Sequence, residues 1–143
     1  MGVQQISVFL ENKKGRLLAV TSCLKENNIN IRALSVADTT DFGILRMIVN
    51  DPKLCLEALQ KEGFTVSSNN VIAVEVPDVP GGLNQVLEIL KEAEVNLEYT
   101  YAFFSGNAET ALHVCRVDKQ DAAIEALAKA GIIVLEGDQV YNR

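Results

Sequence analysis

The 143-residue chain has one histidine, His113, and three cysteines, Cys23, Cys55 and Cys115, with no C-x-x-C pair among them. Thiols odd in number, widely spaced and set among apolar neighbours read as buried, reduced cysteines of a cytoplasmic protein, not as a disulfide frame. That inventory is too small for a structural zinc site, so no metal and no cofactor are expected. Basic residues are also scarce: 13 Lys and Arg stand against 19 Asp and Glu, a net charge of −6. Nucleic-acid binders need a basic face to neutralise phosphates, and anionic lipid asks for the same, so neither nucleic acid nor membrane is an expected partner. No apolar run approaches the ~18 residues of a membrane span, and the N-terminus lacks the basic-then-apolar pattern of a secretion signal. Catalytic machinery is missing too. His113 and Cys115 point the same way from the alternating run Ala111 to Val117, but no oxyanion device accompanies them, so the chain reads as a non-enzyme.

What the chain does have is a copy of itself. CLEALQKEGF (Cys55 to Phe64) matches AIEALAKAGI (Ala123 to Ile132) at Glu57/Glu125, Ala58/Ala126, Leu59/Leu127, Lys61/Lys129 and Gly63/Gly131. The offset there is sixty-eight, against sixty-six earlier in the unit, where Gly15 meets Gly81, Leu17 meets Leu83 and Asn30 meets Asn96. Two single-residue insertions account for the difference, expected near Gly106 and after Asp118. Each copy opens with an alternating strand (Ile6, Val8, Leu10; Ile72, Val74, Val76) and continues with a helical stripe (Leu17, Val20, Thr21, Leu24; Leu83, Val86, Leu87, Leu90). Two strands follow around a polar turn, then a second helix, with Asp51 or Asp118 as its cap and Gly63 or Gly131 as its stop. A last strand, Thr65 to Ser67 or Ile132 to Leu135, completes the unit, and the residues after Leu135 are expected to add an edge strand. The order is β-α-β-β-α-β twice. The expected fold is α+β: two ferredoxin-like units, at 1–68 and 69–143, with antiparallel sheets and helices on one face. Ile48 and Cys115 are expected on the apolar face opposite the helices, and Tyr99, Tyr101 and Phe103 to fill core from one strand face.

The chemistry-bearing segments are the two helix-entry loops. In Asp78-Val79-Pro80-Gly81-Gly82-Leu83, Pro80 presets φ for a first helical turn, and the glycines leave the backbone bare beside four unpaired helix N–H groups. A carboxylate can approach there closely, while Asp78 offers a charge for an ammonium group. A ligand with both charges at bonding distance from each other is an α-amino acid. Asp, Pro and Gly also suit any plain strand-to-helix turn. The same place in the first copy is Asn12-Lys13-Lys14-Gly15-Arg16-Leu17. Its three cations, against Asp78 alone in the second, predict unequal affinities at the two loops. Each loop is followed by an asparagine before the next strand, Asn30 with Ile31 and Asn96 with Leu97, read either as inert turn residues or as amides pointing back at the loop.

These residues carry a resemblance. ENKKGRLLAVTSCLKENNINI is similar to the start of ACT domains, which commonly reads E-N-x-P-G-x-L followed by V-N-I, and the likeness covers residues 4 to about 136. It implies a tandem pair of ACT domains: an amino-acid-binding, allosteric regulatory protein with no catalytic residues, its ligand at the seam between paired domains. Carried over by position, the ligand would touch Asn12, Gly15 and Asn30 in one copy and Asp78, Gly81 and Asn96 in the other. Lys14 stands where the family has proline, which Pro80 keeps, and the histidine of some serine-binding members is Leu10 or Val76 here, against serine as ligand. The implied partners are a free amino acid, a second copy in a homodimer, and a metabolic enzyme. Two alternatives stand beside the free-standing sensor: the regulatory subunit of a separate biosynthetic enzyme, similar to acetolactate synthase small subunits, and a purely structural dimerisation module.

Overall fold

The computed structural model of the chain describes residues 2–38, 41–103 and 110–142. The elements run β1 (Val3–Glu11), α1 (Arg16–Glu26), β2 (Ile31–Asp38), β3 (Phe42–Val49), α2 (Pro52–Lys61), β4 (Thr65–Pro77), α3 (Gly82–Glu92), β5 (Leu97–Ala102), β6 (Thr110–Val117), α4 (Gln120–Lys129), β7 (Val134–Leu135) and α5 (Gly137–Tyr141). Two compact units emerge. In the first, the strand order is β4-β1-β3-β2, and in the second β7-β4-β6-β5, the order of a split βαβ fold in both. The pairings β1/β3, β2/β3, β4/β6, β5/β6 and β4/β7 are antiparallel.

Each unit has its own core, made where the helical stripe meets the alternating strands. Ile6, Val8, Leu10, Leu45, Met47 and Val49 of the sheet pack with Val20, Leu24, Cys55 and Leu59 of the helices. In the second unit Ile72, Val74, Val76, Cys115 and Val117 pack with Val86, Leu90, Ala123 and Leu127. Completely buried side chains such as Leu24 and Leu90 each contribute about 1.5–3 kcal/mol. Gly63 and Gly131 follow α2 and α4 with positive φ, the stops expected for them.

The backbone corrects several expectations. The last strand of the first repeat and the first strand of the second are one strand, β4. Val8 pairs with Leu45, and Val74, its repeat equivalent, with His113, so the offset is already sixty-eight in the third strand of each unit. Both insertions therefore precede that point. Ala102, sixty-six residues after Val36, also pairs with His113, which confines them to the β5–β6 hairpin; Gly106 and its turn lie outside the described residues. No insertion follows Asp118. Its counterpart is Asn50, not Asp51, and α4 starts after Lys119 without a side-chain cap, whereas Asp51 accepts from the Leu54 N–H at 3.2 Å. The register also places His113 where the first unit has Leu45. Cys115 belongs to the helix-packed core, unlike Ile48, so the two do not share a face. Tyr99 and Tyr101 stack on each other, centroids 6.5 Å apart, half-buried outside that core. The residues after Leu135 make a helical turn, α5, instead of an edge strand.

The ends of the chain cross over. The N-terminal residues up to Val3 belong to the unit formed by Asn70–Val140, and the C-terminal residues from Tyr141 to the unit formed by Gln4–Asn69. Tyr141 is held there at two points. Its hydroxyl accepts from the Gln4 N–H at 2.7 Å, and its carbonyl accepts from Nε and Nη2 of Arg32 at 3.3 and 3.1 Å.

Candidate ligand site at the helix-entry loops

The two loops share one backbone device. Gly15 (φ 85°, ψ −4°) and Gly81 (φ 86°, ψ −3°) occupy the N-cap positions of α1 and α3 in the left-handed region, and neither helix receives a side-chain cap. A residue with a Cβ is strained in that conformation, which explains glycine at both places. Space over each is open: no atom lies within 4 Å of where a Cβ would stand. The first helical bonds run from Ala19 N–H to Gly15 O (2.9 Å) and from Gln85 N–H to Gly81 O (3.0 Å). Upstream, Arg16 N–H reaches Lys13 O and Gly82 N–H reaches Val79 O. That leaves the N–H groups of Leu17 and Leu18, and of Leu83 and Asn84, without hydrogen-bond partners among the described residues. Unpaired first-turn N–H groups carry the positive end of the helix dipole and receive anions.

Around this shared core the loops differ. Asn12, Lys13, Lys14 and Gly15 are exposed, and Lys13 pairs with Glu11 at 3.0 Å, which lowers the Glu11 carboxyl pKa. Arg16 folds inward: its guanidinium carbon lies 4.9 Å from the Phe64 ring centre, and its Nε is shielded from solvent with no hydrogen-bond partner. Arg16 lines a cavity of about 190 Å³ with Leu10, Glu11, Asn12, Lys13, Leu17, Val36 and Gly43. In the second loop Asp78, Val79, Pro80 and Gly81 are exposed, while Gly82 is buried and Leu83 packs on the core. Pro80 precedes the cap and is not in the first helical turn. Gly82, read from sequence as bare backbone for a ligand, has a packing reason: a Cβ there would stand 2.1 Å from Pro77 O.

Asn30 and Asn96 share a second device. The N–H of Asn30 donates to Asn50 Oδ1 (2.9 Å) while its carbonyl accepts from Asn50 N–H (3.1 Å); Asn96 has the same clasp with Asp118 (2.9 and 3.2 Å). The backbone is fixed and the residue stays exposed. Ile31 and Leu97 pack on their cores, and Asn96 and Leu97 border an open hollow of about 470 Å³. Neither asparagine reaches the loop of its own unit. Asn12 sits beside Asp41 at the start of β3 and Asn30 beside Asn50 past its end, so the eight residues of β3 separate them by about 25 Å. Nothing in the sequence pattern announced this separation; it follows from the sheet order.

A family model described as an ACT domain pair matches residues 1–141. The chain belongs to this family. Among solved structures, protein BT0572 from Bacteroides thetaiotaomicron is 40% identical, covering 100% of this chain and 98% of that one at a TM-score of 0.94. The ligand-free regulatory subunit of aspartate kinase from Thermus thermophilus is similar at 16% identity, with 91% and 93% coverage and a TM-score of 0.68. The corresponding Thermus flavus subunit gives 16% identity, 92% and 94% coverage, and 0.64. At such identities the likeness to the kinase subunits is one of fold. No curated protein matches.

Other groups offer little chemistry. Burial raises the pKa of all three cysteines, Cys55 to about 12, and lowers that of His113, whose Nδ1 has no partner. A neutral, shielded thiol is a poor nucleophile. Among the described residues no cluster of His, Cys, Asp and Glu is fit to hold a metal, and no helix is long and apolar enough to cross a membrane.

Proposed function

We propose that this chain is a non-catalytic, cytoplasmic regulatory protein that binds a free amino acid, with residues 1–68 and 69–143 acting as its two ACT domains. The carrying observation is the pair of equivalent helix starts, each with a left-handed glycine, open space above it and unpaired N–H groups in the first turn. The ligand carboxylate docks on those N–H groups, and its ammonium group meets Asn12 or Asp78. An amino acid is far shorter than the ~25 Å between loop and asparagine within one unit. Contact with both therefore takes a loop from one unit and an asparagine from another, in a homodimer or between the paired domains. This agrees with the resemblance's placing of the ligand at a seam. Ligand binding then favours one assembly state by its differential affinity.

Thermal-shift screening with each of the twenty amino acids tests this reading. At least one should raise Tm in the micromolar to millimolar range, equivalent to about −8 to −4 kcal/mol. No shift with any of them leaves a structural dimerisation module. A second reading, the regulatory subunit of a separate biosynthetic enzyme, gains support from the fold shared with kinase regulatory subunits; a stable larger partner on co-purification at native expression distinguishes it.

A further inference from the structure

Resting on that reading, we infer that the first unit's cavity selects an aliphatic amino acid, with Arg16 as the carboxylate-reading residue and no counterpart in the second unit. Three observations combine. Part of the cavity lining is hydrocarbon, from Leu10, Leu17 and Val36, with Gly43 adding no side chain, beside the polar Glu11, Asn12 and Lys13. Leu17 and Val36 are 41% and 45% exposed, so apolar surface at the cavity is left uncovered. Arg16 closes one side, its guanidinium steadied by the Phe64 ring and its Nε shielded yet unpaired. A shielded Nε–H without a partner is costly, and a carboxylate is the anion whose two oxygens match the Nε–Nη edge of a guanidinium.

The hydrocarbon part of the lining then sets the other end of the ligand. A branched aliphatic side chain covers Leu17 and Val36, while a second charge on the ligand would lose its hydration against them. Acidic and basic amino acids are discriminated against for that reason. In the second unit the equivalent of Arg16 is Gly82, where Pro77 O stands 2.1 Å from the place a Cβ would take. No cation can be installed at that position. Asp78 is the charged side chain of that loop. The two loops of one chain are therefore not equivalent receptors, and the aliphatic ligand is read at the first.

Titration calorimetry of the whole chain with L-valine, L-leucine, L-isoleucine, L-aspartate, L-lysine and L-serine tests the assignment. The aliphatic three should bind most tightly. Arg16→Gln, which keeps length and a hydrogen-bond donor, should weaken them about ten- to a hundredfold. Val36→Thr, nearly isosteric at a half-exposed place, should narrow the preference for aliphatic over acidic ligands. Tm of each variant reports folding independently. If no amino acid binds the unaltered chain, the amino-acid reading fails and this inference with it. If one binds but Arg16→Gln matches the unaltered chain, or L-aspartate or L-lysine binds best, the reading stands and the inference is overturned.

Discussion

Gly82→Ala separates two reasons for a glycine at a helix start. Its added methyl group meets Pro77 O at 2.1 Å, and that oxygen already accepts the Val79 N–H at 2.9 Å in the turn. Relief requires main-chain movement. Overpacking typically costs about 1–3 kcal/mol, and opening the turn bond adds about 1 kcal/mol, so about 2–4 kcal/mol is expected. Gly81→Ala is the control, because its Cβ enters open space and only the left-handed conformation costs, about 1–2 kcal/mol. For a unit of this size each kcal/mol moves Tm by about 4–8 °C. Thermal melts followed by circular dichroism should thus place Gly82→Ala well below Gly81→Ala. Equal melting temperatures for the two variants would refute the close approach of backbone at Gly82, and with it the claim that the second loop cannot carry a cation.

Three further outcomes are expected. Arg32→Met removes both donors to the Tyr141 carbonyl and should cost about 1–3 kcal/mol in urea unfolding, with Tyr141→Phe adding a smaller loss through Gln4 N–H. His113→Leu, copying Leu45 of the first unit, should stabilise by about 1 kcal/mol by removing the unpaired Nδ1. Because burial lowers the His113 pKa, the unfolded chain takes up the proton first, so stability should fall as pH drops below about 6.5 in the parent and fall less in the variant. For Cys55 the sign is opposite. The unfolded thiol ionises near 9.0 while the folded one holds its proton to about 12, so stability should decline as pH rises between those values, and a thiol reagent at pH 8 should label three cysteines only after unfolding.

The repeat was legible because most core positions recur as apolar residues at the same place in the unit, as Val8 and Val74, Leu24 and Leu90, Leu59 and Leu127 do. The glycine-capped helix starts were legible for the same reason, since only Gly15 and Gly81 fit the backbone there. Reading failed where a single residue of offset decides. Asp118 looks like a cap until the β4/β6 register pairs it with Asn50 as the clasp on Asn96. Gly82 looks like free backbone until Pro77 folds over it. Arg16 reads as one of three loop cations, yet only it turns inward onto Phe64, a contact between residues forty-eight apart that no local pattern encodes. The separation of Asn12 from Asn30 is likewise a property of sheet order, not of spacing along the chain.

Nitrogen-15 correlation spectra report directly on the four unpaired first-turn amide groups. Adding each amino acid in turn to the labelled chain should shift the N–H signals of Leu17 and Leu18, or of Leu83 and Asn84, the most, with the first pair responding to aliphatic ligands. Saturable binding that leaves all four signals in place would contradict ligand docking at the helix starts.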